Sequence, residues 1–217
     1  MTSPQQWDAW AATWTVLGRL FAAAPDQESL DRVRAPEMLA DWPLAGGERT
    51  AEGLDLLAES ARTGEDADAV HEDFFLLVIG PGKMLATPWE SVYRSTEGLV
   101  FEAQTLQVRE FYRRFGLQAP RLNREPDDHI SLELEFCATL LTRAMDAAES
   151  GNNDEADEFV AAHRDFCSEH LLAWAPEFFR RVEQGATTAF YRGIGVLGQD
   201  ACAQLASVLD RRDAGQR

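Results

Sequence analysis

The chain has 217 residues, 45% hydrophobic and 26% charged, enough for one globular domain with a real core or two small ones. With 20 basic residues against 37 acidic ones the formal charge is −17, which works against nucleic-acid and anionic-lipid partners and favours cationic ones. The longest apolar run, Phe74 to Ile79, is far short of a membrane span, and no basic n-region precedes an apolar stretch, so a cytoplasmic protein without stable membrane association is expected.

Ser3-Pro4-Gln5-Gln6 is a helix start, with Ser3 as N-cap and Pro4 in the first turn. Trp7, Trp10, Ala11, Trp14, Leu17 and Phe21 follow at three- and four-residue steps, the pattern of a core-facing stripe ended by Pro25. Short helices are predicted over Gln27–Arg34 and Pro36–Trp42, then a longer one over Glu48–Arg62 stopped by Gly64. Glu65–Ile79 begins acidic and ends wholly apolar, which reads as a buried helix end rather than a strand.

Gly80-Pro81-Gly82 breaks that helix, and a loop runs on to Pro88. A helix is predicted from about Gly98 to Phe115, with Phe101, Val108, Phe111 and Tyr112 on one face and Gly116 as its stop. Gln118–Arg124 is a polar connector, so a hinge or subdomain boundary is expected within residues 117–126. Leu132, Phe136, Leu140, Leu141 and Met145 mark a long helix to about Glu149, and Gly151 turns the chain. The next helix carries Phe159, His163, Phe166, Cys167, His170 and Trp174 and is interrupted at Pro176; a short one ends at Gly185, and Phe190 to Val208 form the last. With no hairpin signal and no useful period-two segment, the fold class is all-α: one domain over residues 1–217, with about nine or ten helices.

Cys137, Cys167 and Cys202 are odd in number, lack C-x-x-C spacing and fall among apolar residues, so buried reduced thiols are expected and no Cys–His pair. His163 and His170 read as hydrogen-bonded histidines of the core or its boundary. Gly193-x-Gly195-x-x-Gly198 matches a dinucleotide fingerprint on paper, but 19 residues remain after Gly198, too few for the required second strand. Close helix packing explains those glycines better. Gly80-Pro81-Gly82-Lys83 lacks phosphate-loop spacing, and Pro81 removes an amide donor. His129 and Glu133 share a helical face with Asp128 nearby, an incomplete metal-ligand set that leaves metal-assisted hydrolysis as an alternative function. No metal and no cofactor is expected.

Two segments suit no ordinary structural role. Pro88-Trp89-Glu90-Ser91-Val92-Tyr93 fits no regular element and carries two amphipathic rings of the kind that favour half-wet interfaces. Glu125-Pro126-Asp127-Asp128-His129 opens a helix with three carboxylates, of which capping accounts for one or two. The surplus predicts an anionic patch for a cation. For the two segments to meet, the chain must fold back across a helix ~25 Å long.

Together these segments resemble the TorD/DmsD family of redox-enzyme maturation chaperones, whose pattern is a G-P-G loop, P-W-E-S-V-Y, and E-P-D-D-H-I about thirty residues later. Here they are Gly80–Gly82, Pro88–Tyr93 and Glu125–Ile130, with Thr87, Val78 and Ser131 departing from the usual residues nearby. The resemblance implies an all-helical, non-enzymatic cytoplasmic protein; the Gln118–Arg124 hinge leaves a segment-swapped dimer open beside a monomer. Such a protein would bind the twin-arginine leader of an apo molybdopterin oxidoreductase catalytic subunit and delay export until the cofactor is inserted. A guanine-nucleotide-binding regulator is a further alternative. The implied peptide-binding residues are Pro88, Trp89, Glu90, Ser91, Tyr93, Glu125, Pro126, Asp127, Asp128 and His129. In that reading Trp89, Tyr93 and Phe74–Ile79 take the leader's apolar stretch, while Glu90, Glu125, Asp127 and Asp128 take its arginines.

Overall fold

The structure, a computed structural model, describes residues 3–95, 100, 103–120 and 125–215, with side chains to position 211. Helix is the only regular structure among the described residues, as the sequence periodicity predicts. In chain order the helices are α1 (Pro4–Ala22), α2 (Gln27–Val33), α3 (Pro36–Ala40), α4 (Thr50–Thr63), α5 (Ala67–Phe74), α6 (Glu90–Arg94), α7 (Ala103–Arg114), α8 (Ile130–Glu149), α9 (Asn153–Phe166), α10 (Leu172–Gly185) and α11 (Ala189–Gly215). Five-residue π-helical turns, Phe75–Ile79 and Cys167–Leu171, prolong α5 and α9.

The chain divides into two compact units, one of residues 1–22, 89–174 and 206–217, the other of residues 23–88 and 175–205. In the first, α8 packs against α1 and α9 and buries Leu134, Cys137, Leu140, Leu141 and Ala144 completely. The tryptophan stripe of α1 is core, with Trp14 and Leu17 fully buried. A Cβ at Gly18 would stand 3.3 Å from the Ser131 carbonyl, so a glycine there lets α1 lie close on α8. Phe111, Tyr112, Phe136, Phe166 and His170 form one ring cluster, with neighbouring centroids 4.8–6.3 Å apart.

The second unit is held by carboxylates that cap α11 from a distance. Asp73 accepts the Thr187 and Thr188 amides at 3.0 and 2.9 Å and the Thr188 hydroxyl at 2.6 Å. Glu65 accepts the Ala189 and Phe190 amides at 2.6 and 3.1 Å. The glycine run of α11 serves packing: a Cβ at Gly195 would sit 2.5 Å from the Glu183 backbone nitrogen, and one at Gly198 would sit 2.2 Å from the Phe179 ring.

Several sequence expectations need revision. Pro88–Tyr93 does contain regular structure, because Glu90–Arg94 is helical. Phe74–Ile79 is helical as expected but only partly buried: Leu77 and Val78 face inward, whereas Phe75, Leu76 and Ile79 are exposed on a widened π-helical turn. Pro176 lies inside α10 rather than interrupting it, soon after the π-helical turn has already disturbed the hydrogen-bond ladder. The expected helix start at Gly98 and Phe101 and the connector residues 121–124 lie outside the described residues.

Candidate functional site

Within the first unit, the two marked segments meet backbone to backbone. Trp89 and His129 form an isolated antiparallel bridge, and the Glu90 amide donates to the Asp128 carbonyl at 3.0 Å. Asp128 is wholly buried and acts as a two-sided clamp. Its Oδ2 accepts the Ser91 amide at 2.7 Å, capping α6, and its Oδ1 accepts the Thr105 hydroxyl of α7, also at 2.7 Å. The α6 helix has no side-chain cap of its own at Trp89, so this distant carboxylate supplies one.

Asp127 is also fully buried. Its Oδ2 receives Arg109 Nε at 2.5 Å, and its carbonyl receives the Tyr112 hydroxyl at 3.2 Å. Its Oδ1 has no hydrogen-bond partner among the described residues. Thr105, Val108, Arg109 and Tyr112 recur at helical spacing, so one face of α7 reads both aspartates. His129 is the N-cap of α8, with Nδ1 accepting the Ser131 amide at 3.2 Å, which fixes that nitrogen as unprotonated. Burial pushes the imidazole down to about 4, against the opposing pull of Glu125 and Asp128. It is neutral at neutral pH. Its ring meets Trp89 edge-on, with centroids 5.7 Å apart at 74°.

Behind this surface lies a second buried network. Glu90, 0% exposed, is paired with Arg94 on its own helix and accepts from His170 Nδ1 at 2.9 Å. Arg94 also donates to the Glu169 carbonyl at 2.8 Å. Glu133 is equally buried and accepts the Trp174 indole N–H at 3.0 Å. Burial, then the charges of Glu90 and Asp128, push its carboxyl well above the usual range, so it keeps its proton. Tyr93 packs on Trp174 with centroids 5.2 Å apart. A cleft of about 600 Å³, lined by Arg94, Glu110, Phe111, Arg114, Glu169 and His170 among others, opens beside this network.

The structure thus brings Trp89, Glu90, Ser91, Tyr93, Asp127, Asp128 and His129 together. It corrects the picture of an open acidic patch. Of the four proposed arginine receptors only Glu125 is exposed; Glu90, Asp127 and Asp128 are turned inward onto the chain's own donors. Pro88 and Pro126 are buried, while Trp89, Tyr93 and His129 are half-buried. Phe74–Ile79 belongs to the second unit. Among the described residues, no group with metal-ligand geometry includes Asp128, His129 or Glu133. Sequence reading missed Thr105, Arg109 and Tyr112. Their only signal was a threonine and an arginine sharing the apolar face of α7.

The site and the fold define a class: an all-helical protein whose half-buried aromatic surface is fastened to an internally neutralised acidic core. The family described as nitrate reductase delta subunit matches residues 45–180. A Tat proofreading chaperone DmsD from Salmonella typhi is 32% identical over 208 residues, covering 94% of this chain and 92% of that one. A second, from Salmonella typhimurium, is 30% identical with the same coverage. The chaperone protein TorD of Vibrio atlanticus is 28% identical over 83% of this chain and 85% of its own. The chain belongs to the TorD/DmsD family of redox-enzyme maturation chaperones. No described helix is long and apolar enough to cross a membrane.

Proposed function

We propose that this chain acts in the cytoplasm, without catalysing a reaction, by binding the twin-arginine leader of an apo molybdopterin oxidoreductase catalytic subunit and delaying its export until the cofactor is in place. The observation that carries this reading is the bridge between Trp89 and His129, which sets the half-buried Trp89 and Tyr93 rings beside the acidic start of α8. Relatives over nearly the whole chain are named Tat proofreading chaperones.

The proposed binding residues are Pro88, Trp89, Glu90, Ser91, Tyr93, Glu125, Pro126, Asp127, Asp128 and His129. The rings take apolar leader side chains, and exposed Glu125 meets the first arginine. Asp127 and Glu90 already hold the chain's own guanidiniums, Arg109 and Arg94. A leader arginine that replaces one of these leaves the carboxylate paired throughout, so no new buried charge is uncovered. Burying ~300 Å² of apolar surface at ~25 cal/mol per Å² contributes roughly 7 kcal/mol, less several for ordering the peptide, which by itself puts affinity near millimolar.

Titration of a synthetic leader and its arginine-to-glutamine counterpart against wild type and Trp89→Ala tests this. Tight binding is expected for the native leader on wild type alone, with each single change weakening it about tenfold or more. Equal binding in all four combinations removes the assignment.

A further inference from the structure

The core of the first unit holds a group of soft donors that leader binding does not use. Cys137 of α8 and His163 and Cys167 at the end of α9 are all 0% exposed. The two Sγ atoms are 3.6 Å apart, and Cys167 Sγ lies 3.6 Å from His163 Nε2. One donor atom from each residue falls within 4.8 Å of the others. The sequence does mark one Cys–His pair after all, since His163 and Cys167 are four apart on one helical face, while Cys137 joins them from another helix.

We propose that Cys137, His163 and Cys167 form a binding site for a thiophilic d10 metal ion, with Zn2+ the ion they suit best. Bond lengths of ~2.3 Å to sulfur and ~2.0–2.1 Å to nitrogen, at tetrahedral angles, put two sulfurs ~3.8 Å apart and sulfur and nitrogen ~3.6 Å apart. Two of the three pairs already stand at nearly those separations, and Cys137 Sγ and the imidazole nitrogen lie within 4.8 Å of each other. As Zn2+ binds, both thiols lose their protons to solvent, two Zn–S bonds and one Zn–N bond form, and a water kept from the ion's hydration shell fills the fourth position, so a dication and two thiolates make a neutral unit that a buried core can hold. Hard cations, which require several oxygens, find none offered by these three residues.

His163 is suited to its part. Burial pushes it down to about 3, which keeps the ring neutral and a lone pair on it. In the metal-free arrangement the indole N–H of Trp14 donates to Nε2 at 3.3 Å. That N–H must turn toward a thiolate sulfur when the metal takes the nitrogen. Because the site is closed to solvent, the ion enters while the unit folds, or through transient opening of α9 from α8.

The test uses the full chain, reduced, unfolded with chelator, and refolded with one equivalent of Co2+ as the spectroscopic probe. A thiolate-to-Co2+ charge-transfer band with tetrahedral d–d absorption is expected, saturating at one equivalent and bleached by Zn2+. Cys137→Ala and Cys167→Ala should each weaken Co2+ binding at least tenfold, whereas Cys202→Ala, altering the third cysteine in the second unit, should leave it unchanged. The inference is overturned if wild type shows no charge-transfer band, or if the band survives both cysteine substitutions, or disappears with Cys202→Ala. Should the alanine variants fail to refold, wild type alone decides: a band that saturates at one equivalent of Co2+, with a Zn2+-dependent rise in Tm, supports the site, and absence of the band refutes it.

Discussion

Asp128→Ala isolates the contact on which the candidate site depends. The substitution removes two charge-assisted hydrogen bonds, from the Ser91 amide and the Thr105 hydroxyl, each at 2.7 Å. Bonds of this kind contribute ~1.5–3 kcal/mol each, and the buried Ser91 amide would be left without an acceptor; relief from burying the carboxylate offsets part of that, leaving a loss of about 3–5 kcal/mol. For a chain of this size the Tm should fall by roughly 10–15 °C. Asp128→Asn should be mild, about 1 kcal/mol, because the amide oxygen can still accept from Ser91 while its NH2 donates to the Thr105 hydroxyl oxygen. Thr105→Val should then cost less in the Asp128→Asn background than in wild type, because it removes a neutral hydrogen bond rather than a charge-assisted one. Thermal and urea unfolding give the stabilities, and leader titration gives the affinities. If alanine and asparagine both change stability by less than about 0.5 kcal/mol, the carboxylate faces solvent and the clamp is wrong. If asparagine keeps wild-type stability but loses the leader as fully as alanine does, Asp128 meets the guanidinium directly.

Glu133→Gln tests the buried acid: below its ordinary value of about 4.5 both states are protonated, but as pH rises the unfolded chain ionises while the folded one keeps its proton. The variant's stability relative to wild type should therefore increase from pH 4.5 through neutral, and a flat difference would place the carboxyl in water. His129 works in the opposite direction, since its folded value of about 4 lies below the ordinary 6.5, so stability is lost as pH falls through that interval. Asparagine at 129 keeps the cap and should flatten that acid slope by roughly 1–2 kcal/mol, with the half-exposed ring limiting the effect. Gly195→Ala should destabilise by ~1–3 kcal/mol despite the ~1 kcal/mol helix preference for alanine, because the new methyl would meet the Glu183 backbone nitrogen at 2.5 Å. Gly46→Ala, with nothing within 4 Å, serves as the neutral control in the same unfolding assay.

The helices were legible because each apolar stripe had to be buried, and the Trp7-to-Phe21 stripe has the same meaning in any helical fold. The close-packed glycines of α11 were legible from their setting: they lie within the helical stripe from Phe190 to Val208, and no strand-like segment leads into them as a dinucleotide loop requires. What could not be read was the direction in which the acidic residues face. A run of Asp and Glu at a helix start has the same composition whether it projects into water or folds under. The difference lies in donors such as Thr105, Arg109 and Tyr112, which a separate helix brings to the site. The same gap hid α6, whose five residues lack a local cap and rely on Asp128. The Phe74–Ile79 run had a third ambiguity, because six consecutive apolar residues show no period, and only Phe74, Leu77 and Val78 continue the inward stripe that Val70 and Asp73 begin.

The inward-facing carboxylates make the proposed function more specific. An open acidic patch would attract any cation, including free lysine-rich chains, and would be screened by salt. Carboxylates already occupied by arginine select by exchange: a newcomer must at least equal the Nε–H bond that Arg109 makes to Asp127 Oδ2 before it can displace it. A leader guanidinium can in addition reach Asp127 Oδ1, which has no partner among the described residues, with its second planar donor, and a lysine ammonium has no such donor pair. Discrimination between arginine and lysine thus arises from the cost of uncovering Asp127, not from the net charge of −17 on the chain. Exchange also bounds the affinity, because each bond gained by the leader replaces one lost within the protein, and the apolar contacts at Trp89 and Tyr93 supply most of the remainder. A leader held in that way can be given up once its enzyme has folded.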